Sequence, residues 1–358
     1  MLFLLAPVAQ ASGAPGVSAR SYVLLDAGTG TVLAERAADE QMLVASTTKI
    51  LTAVVVLEHV ALDDVVEIRP EHVGIEGSSM YLRAGETLTV RDLLLGLMLA
   101  SGNDAAVALA YHVAGGIDEF AALMNEKAAA LGMANSSFAN PHGLDAEGHY
   151  STARDMGILT VYAMQSADFV EIASSRNASA AGRSLVNHNK LLWRYTGAEG
   201  VKTGYTRASG RSLVSAASRD GTRLICVTLS APDDWNDHAA LLDWGFANYA
   251  YHGILTAGEV VATVPVIAGM GDSVTLVAEE TLELLTAADD EVGVTMEVPR
   301  FVYAGVRADD VGGRVTVDVN GERVLEARLL FGECVELDEA NRLSLWETVR
   351  RNWQRAMR

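Results

Sequence analysis

The segment that most restricts the fold is Ser46-Thr47-Thr48-Lys49-Ile50-Leu51-Thr52-Ala53-Val54-Val55-Val56-Leu57. Beyond Lys49 it is apolar nearly all round, so it reads as a central helix that the rest of the chain must bury. Ser46 stands where an N-cap or first-turn residue would. Lys49 enters this apolar helix, where an ordinary solvated charge is hard to accommodate.

Other elements are readable around it. Residues 22–27 and 31–35 are β-prone runs joined by the turn Gly28-Thr29-Gly30. Residues 90–100, entered through Thr89, and 105–113 read as apolar helices. Residues 117–131 form an amphipathic helix stopped by Gly132. The stretch 135–150 is rich in Asn, Gly, His and Pro and reads as a long loop. Ser151-Thr152-Ala153-Arg154-Asp155 then opens a helix with a capping-box pattern. Residues 212–218 and 223–229 are strands about the turn Arg219-Asp220-Gly221-Thr222, and 239–249 is helical. Near Gly253 the texture changes. Short β-prone runs at 260–266, 273–277, 282–285, 292–298, 314–319 and 324–329 are separated by Gly, Asp or Asn, which predicts a small all-β domain. A length of 358 residues fits this two-domain reading.

The ends differ from the body. Residues 2–8 are apolar and lead to Ala9-Gln10-Ala11, a small-x-small cleavage pattern, so 1–11 reads as a partial signal peptide of an exported chain. That run is too short to span a bilayer. Toward the C-terminus, Trp346, Val349, Trp353 and Met357 share one helical face, with Arg351, Arg355 and Arg358 opposite. This suits an interfacial helix in contact with a membrane surface. The alternative is a helix docked on the protein's own surface. The formal net charge of −19 argues against a nucleic-acid partner, whose phosphates need Lys and Arg. Of the two cysteines, Cys226 lies in an apolar run and reads as a small buried hydrophobe.

Three short motifs carry chemistry. In Ser46-x-x-Lys49 the two side chains are neighbours on a helix, so the amine can reach the hydroxyl. A serine needs a base to become a nucleophile, and a lysine can serve only when neutral. Burial and a second cation would depress its pKa. Ser101-Gly102-Asn103 supplies a hydroxyl able to relay a proton and an amide able to bind a carbonyl. Lys202-Thr203-Gly204, on a strand edge, can hold a carboxylate, with Gly204 letting the substrate backbone approach. Singly, each triplet also reads as a cap or turn. In this order they resemble the Ser-x-x-Lys, Ser-Asp-Asn and Lys-Thr-Gly set of class A β-lactamases and penicillin-binding proteins, with Gly102 in place of the Asp.

With these motifs the chain resembles the low-molecular-weight penicillin-binding D-alanyl-D-alanine carboxypeptidases. Asn140-Pro141-His142-Gly143-Leu144, Gly148-His149-Tyr150-Ser151-Thr152, Val201-Lys202-Thr203-Gly204-Tyr205-Thr206 and Leu241-Leu242-Asp243-Trp244-Gly245-Phe246 also look like family segments. The resemblance implies an α/β (α+β) β-lactamase/transpeptidase-like peptidase domain over 12–252. It also implies a β-rich C-terminal domain over 253–337 and a terminal amphipathic helix over 338–358. It implies acylation of Ser46 by a stem peptide of peptidoglycan, with Lys49 as base and Ser101 and Asn103 completing the network. Lys202, Thr203 and Gly204 would hold the terminal D-Ala, and the N–H groups of Ser46 and Tyr205 would form the oxyanion hole. No cofactor or metal is implied, and β-lactams are the expected covalent inhibitors. The expected location is the extracytoplasmic face of the bacterial membrane or the cell wall.

The chain departs from the family pattern in two places. Leu43-Val44-Ala45 stands where relatives often have Pro before the Ala-Ser of the first motif. Some relatives place an Arg upstream of Leu-Leu-x-Trp-Gly-Phe to hold the carboxylate, whereas here the stretch reads Asp233-Asp234-Trp235-Asn236-Asp237-His238, which shifts that duty to Lys202 and Thr203. His142 and His149 lack further ligands at metal spacing and read as structural hydrogen-bonding groups. Two alternatives stay open from sequence: a β-lactamase, opposed by the lack of a Glu-x-x-Leu-Asn segment, and a non-catalytic penicillin-binding wall protein.

Overall fold

The apolar segment after Lys49 is helix α1 (Lys49–His59), and every residue from Lys49 to Val56 in it is buried. In this computed structural model, residues 13–339 are described together with Glu347, Arg350, Trp353 and Gln354. The expected signal segment over 1–11 and most of the expected terminal helix over 338–358 lie outside the described residues. The chain divides into two units, one ending at Tyr249 and the other starting at Ala250.

The first unit begins with β1 (Ser21–Asp26) and β2 (Val32–Arg36), then α1, the small antiparallel pair β3 (Val65–Glu67) and β4 (Thr87–Thr89), and helices α2 (Val90–Leu99), α3 (Asn103–Ala114) and α4 (Ile117–Ala130). Helices α5 (Ala153–Ala163) and α6 (Ala167–Ser174) follow, then the hairpin β5 (Asn177–Ala180) and β6 (Arg183–Val186) and the short α7 (Leu191–Arg194). Strands β7 (Ala198–Thr206), β8 (Gly210–Arg219) and β9 (Thr222–Leu229) and helix α8 (Asp234–Asn248) complete it. The five-stranded sheet runs β2-β1-β9-β8-β7 and is antiparallel throughout.

Alternate residues of these strands point to opposite faces, and both faces are covered. A Cβ on Gly157 of α5 would meet Val23 and Leu25, whereas one on Gly245 of α8 would meet Leu24 and Leu224. The sheet is therefore sandwiched between helices. That is why β1 is buried at all six positions and its sequence lacks a polar alternation. Helices α1 to α6 share one core with Val23, Leu25, Val214, Ile225 and Val227.

Helix starts follow capping chemistry. Thr89 accepts from the Asp92 N–H at 3.1 Å while Asp92 accepts from the Thr89 N–H, a reciprocal box. Thr152 caps α5 through the Asp155 N–H at 3.0 Å. The expected reciprocal half is not made there. Asp155 accepts instead from Asn135 N–H (2.9 Å) and the Ser136 hydroxyl (2.6 Å), which fastens the 135–150 loop to the helix.

The second unit contains β10 (Tyr249–Leu255), β11 (Val260–Ile267), β12 (Ser273–Ala278), β13 (Leu282–Ala287), β14 (Val292–Glu297), β15 (Val302–Tyr303), β16 (Val311–Val319) and β17 (Glu322–Phe331). A six-stranded sheet runs β14-β16-β17-β12-β11-β15, and β10 pairs with β13. Val264, Val266, Val274, Leu276, Leu329 and Phe331 form one of its cores. The α/β class with a β-sheet C-terminal part is thus observed.

Candidate active site

Ser46 lies in a 3₁₀ turn, Ala45–Thr48, which runs into α1. The turn is tight. Ala45 has φ +49°, and Gly143 presses against it so closely that a Cβ there would sit 2.0 Å from the Ala45 carbonyl oxygen. Edge strand β7 closes the other side. A Cβ on Gly204 would lie 2.9 Å from the Val44 carbonyl oxygen and 3.2 Å from Ser46 N. The missing side chain at Gly204 therefore admits the protein's own nucleophile turn, not only a substrate backbone as the sequence suggested.

Lys49 is fully buried. Its Nζ lies 3.0 Å from Ser46 Oγ and donates to Asn103 Oδ1 at 2.7 Å and to the His142 carbonyl at 2.6 Å. The Asn103 amide is oriented by its other end, because Nδ2 donates to the Glu76 carbonyl, which can only accept. Burial pushes the Lys49 amine well below the usual lysine value of 10.5, and the nearby Lys202 charge pushes it further. Lys202 is itself buried, which holds it at about 7, and its Nζ donates to the Thr203 carbonyl at 3.1 Å.

Ser46 opens this cluster onto a cavity of about 660 Å³. Ser46, Ser78, Ser101, Thr203, Gly204 and Tyr205 line it. Lys49, Asn103 and Lys202 stand behind that wall. Ser101, at φ +58°, turns between α2 and α3. Asp104, next to the second motif, accepts from Met80 N–H and Leu82 N–H, both at 3.0 Å, and from the Ser79 hydroxyl at 2.6 Å, so it holds the 78–82 segment beside the cavity.

This arrangement gives a hydroxyl beside a desolvated amine at a cavity that Thr203 also lines, with the buried Lys202 amine behind it. The model of the Peptidase_S11 family, D-alanyl-D-alanine carboxypeptidase, matches residues 8–233. The chain belongs to this family. Over 359 residues it is 34% identical to the Escherichia coli D-alanyl-D-alanine carboxypeptidase DacC, covering 94% of this chain and 90% of that one. It is 32% identical to Bacillus subtilis DacF over 325 residues, covering 86% and 84%. The crystal structure of penicillin binding protein 5 from Haemophilus influenzae matches with a TM-score of 0.74 and 30% identity, over 91% of this chain and 100% of that one. The family comprises D-Ala-D-Ala carboxypeptidases, which are serine hydrolases acting on peptidoglycan.

One group in the wall was missed from sequence. Arg211, on β8, lines the cavity with Asp234 and Trp235. Its Nη2 donates to Asp234 Oδ1 at 2.8 Å, and its guanidinium lies 5.6 Å from the Trp235 ring centre. An Arg side chain, absent from 233–238, thus reaches the cavity wall from the neighbouring strand β8, where it is paired with Asp234. The signal was the hairpin register, which sets Arg211 opposite Tyr205, one step from Gly204. His149 bridges rather than lines. Ala139 N–H donates to its Nδ1 at 3.1 Å, so the ring proton is on Nε2 and reaches the Thr48 hydroxyl at 2.9 Å. Burial holds both His142 and His149 near 4, hence neutral at pH 7.

Proposed function

We propose that Ser46 is acylated by the penultimate D-Ala carbonyl of a peptidoglycan stem pentapeptide, and that water then releases a tetrapeptide. The observation that carries this reading is the surroundings of Lys49 Nζ. A neutral amine has two N–H donors and one lone pair. Here two contacts are carbonyl oxygens, Asn103 Oδ1 and His142 O, and the third is a hydroxyl. The donors are used by the carbonyls, so the lone pair points to Ser46 Oγ–H. An ammonium would satisfy the same three contacts, but burial favours the neutral amine, whose lone pair is then left for the proton it must take.

The steps follow. Ser46 Oγ bonds to the D-Ala carbonyl carbon as its proton moves to Lys49 Nζ. The developing oxyanion is met by the N–H groups of Ser46 and Tyr205, each such donor typically worth ~2.7–4 kcal/mol. The C–N bond breaks, and the proton passes to the leaving D-Ala amine with Ser101 as relay. Asn103 positions the peptide. Thr203 binds the terminal carboxylate, with Gly204 beside it and Lys202 and Arg211 supplying positive potential. β-Lactams acylate the same hydroxyl. The protein acts outside the cytoplasm, with the tail after residue 338 contacting the membrane surface.

The test is release of D-Ala from diacetyl-Lys-D-Ala-D-Ala, with mass spectrometry locating the acyl group trapped by penicillin. Release that stops in Ser46→Ala, with the adduct on Ser46, is expected. An adduct elsewhere, or steady turnover of nitrocefin, would overturn the proposal.

A further inference from the structure

Ser78, Val186 and His188 line the Ser46 cavity and also a second cleft of about 660 Å³. The two spaces therefore abut along these three residues. The second cleft runs between the 77–83 segment and the turn of the β5–β6 hairpin. Its walls are fastened to each other. Arg183 donates through Nε to the Met80 carbonyl and through Nη2 to the Tyr81 carbonyl, each at 2.8 Å, and pairs with Glu86 at 2.6 Å. Asp104 grips the same segment from the other side. Tyr81 lines the cleft at φ +61° with 80% of its surface exposed, a backbone conformation that bulky residues rarely hold.

The cleft carries two Arg and one Glu. Glu86 is taken up by Arg183 and by the Arg83 backbone N–H, which donates to it at 2.6 Å. Arg83 is exposed, and among the described residues its guanidinium is in none of the ion pairs around the cleft, where Glu86 pairs with Arg183. A chain of net charge −19 thus keeps a spare cation in a braced cleft beside its nucleophile. We infer that this cleft binds the part of the stem peptide preceding D-Ala-D-Ala, and that Arg83 receives a free carboxylate carried by it. A peptide with its terminal carboxylate at Thr203 and Arg211 and its scissile carbonyl on Ser46 leaves the cavity past Ser78 into this cleft. A guanidinium distinguishes carboxylate from carboxamide by charge and by paired N–H donors. The inference rests on the acyl-enzyme reading of the adjoining cavity.

The experiment compares two peptides ending in Lys-D-Ala-D-Ala that differ only upstream, one with a γ-linked D-glutamyl residue bearing a free carboxylate and one with its carboxamide. The full chain is expected to favour the carboxylate peptide ~2–5-fold in kcat/KM, through KM, as suits a partly solvated ion pair. The preference should shrink at high salt, vanish in Arg83→Gln and persist in Arg83→Lys. Equal kcat/KM in the unaltered chain, or a preference surviving Arg83→Gln, overturns the inference. Should neither peptide release D-Ala, the acyl-enzyme reading fails. Competition of the same peptides against fluorescent penicillin then decides on Arg83 separately, and equal competition overturns the inference.

Discussion

The two units bury different things. The unit ending at Tyr249 encloses Lys49, Lys202, Asp104, Asp155, Asp234, Asp237, His149 and His238. Among the described residues of the second unit, the buried polar groups are Thr286 and Thr316, and ionic side chains lie at the surface in pairs such as Arg314–Glu326 and Arg328–Glu279. Taking an ion out of water costs several kcal/mol unless partners replace the water. In the first unit the partners are present: four donors meet Asp104, three meet Asp237, and three groups surround Lys49. The two lysines are the exceptions in kind, because burial holds them far from their usual charge state. Strong desolvation shifts of this sort gather where chemistry is done. The β unit solves a packing problem alone, whereas the first unit accepts a stability cost around Ser46.

Substitutions can break that contrast. Lys49→Ala is expected to lower D-Ala release at least ~10²-fold, the usual cost of losing a general base; a near-normal rate would remove its role. Gly204→Ala puts a Cβ against Val44 and Ser46. Because a displacement of about 1 Å can cost ~10² in rate, acylation by fluorescent penicillin should slow by that order. In the β unit, Leu276→Ala should destabilise by ~2–5 kcal/mol, as for a fully buried leucine. D-Ala release below the unfolding transition should stay within about twofold; a large loss of rate would mean the units are not separable in function.

A pH series sharpens the contrast further. Folded Lys202 titrates at about 7 against 10.5 for the ordinary group. Between those values the unfolded chain binds a proton that the folded chain has released, so stability rises with pH across that window. The slope should appear in the melting of the first unit and diminish in Lys202→Met. The smallest effect belongs to the surface. Arg314→Ala removes a half-exposed pair and should change stability by less than ~1 kcal/mol.

Much of this was legible in the sequence because the site is made of short triplets whose spacing survives folding. Ser46 and Lys49 are neighbours on one helical turn, and Ser101 and Asn103 flank a helix junction. Lys202 to Tyr205 is one edge strand. Arg211 was not legible by itself, since its place in the wall depends on the pairing of β7 with β8. The start of α8 at Asp234, five residues before the expected 239, follows from Asp234 and Asp237 in its first turn, where carboxylates favour the helix N-terminus. Strand β10 was missed because it continues directly from α8 at Tyr249 with no turn residue between. Strand β15 has two residues, too few for any period to show. The β5–β6 hairpin was missed for a related reason, as Asn177-Ala178-Ser179-Ala180 has small and polar residues that announce no strand. It nevertheless walls the second cleft.

The most direct measurement is the titration of Lys49 itself, followed by NMR of its side-chain ¹³Cε in lysine-labelled protein and assigned with Lys49→Arg. The amine is predicted to lose its proton far below 10.5, leaving it neutral where D-Ala release is fastest. A Lys49 resonance that titrates near 10.5 would contradict the account, because a charged amine cannot take the Ser46 proton.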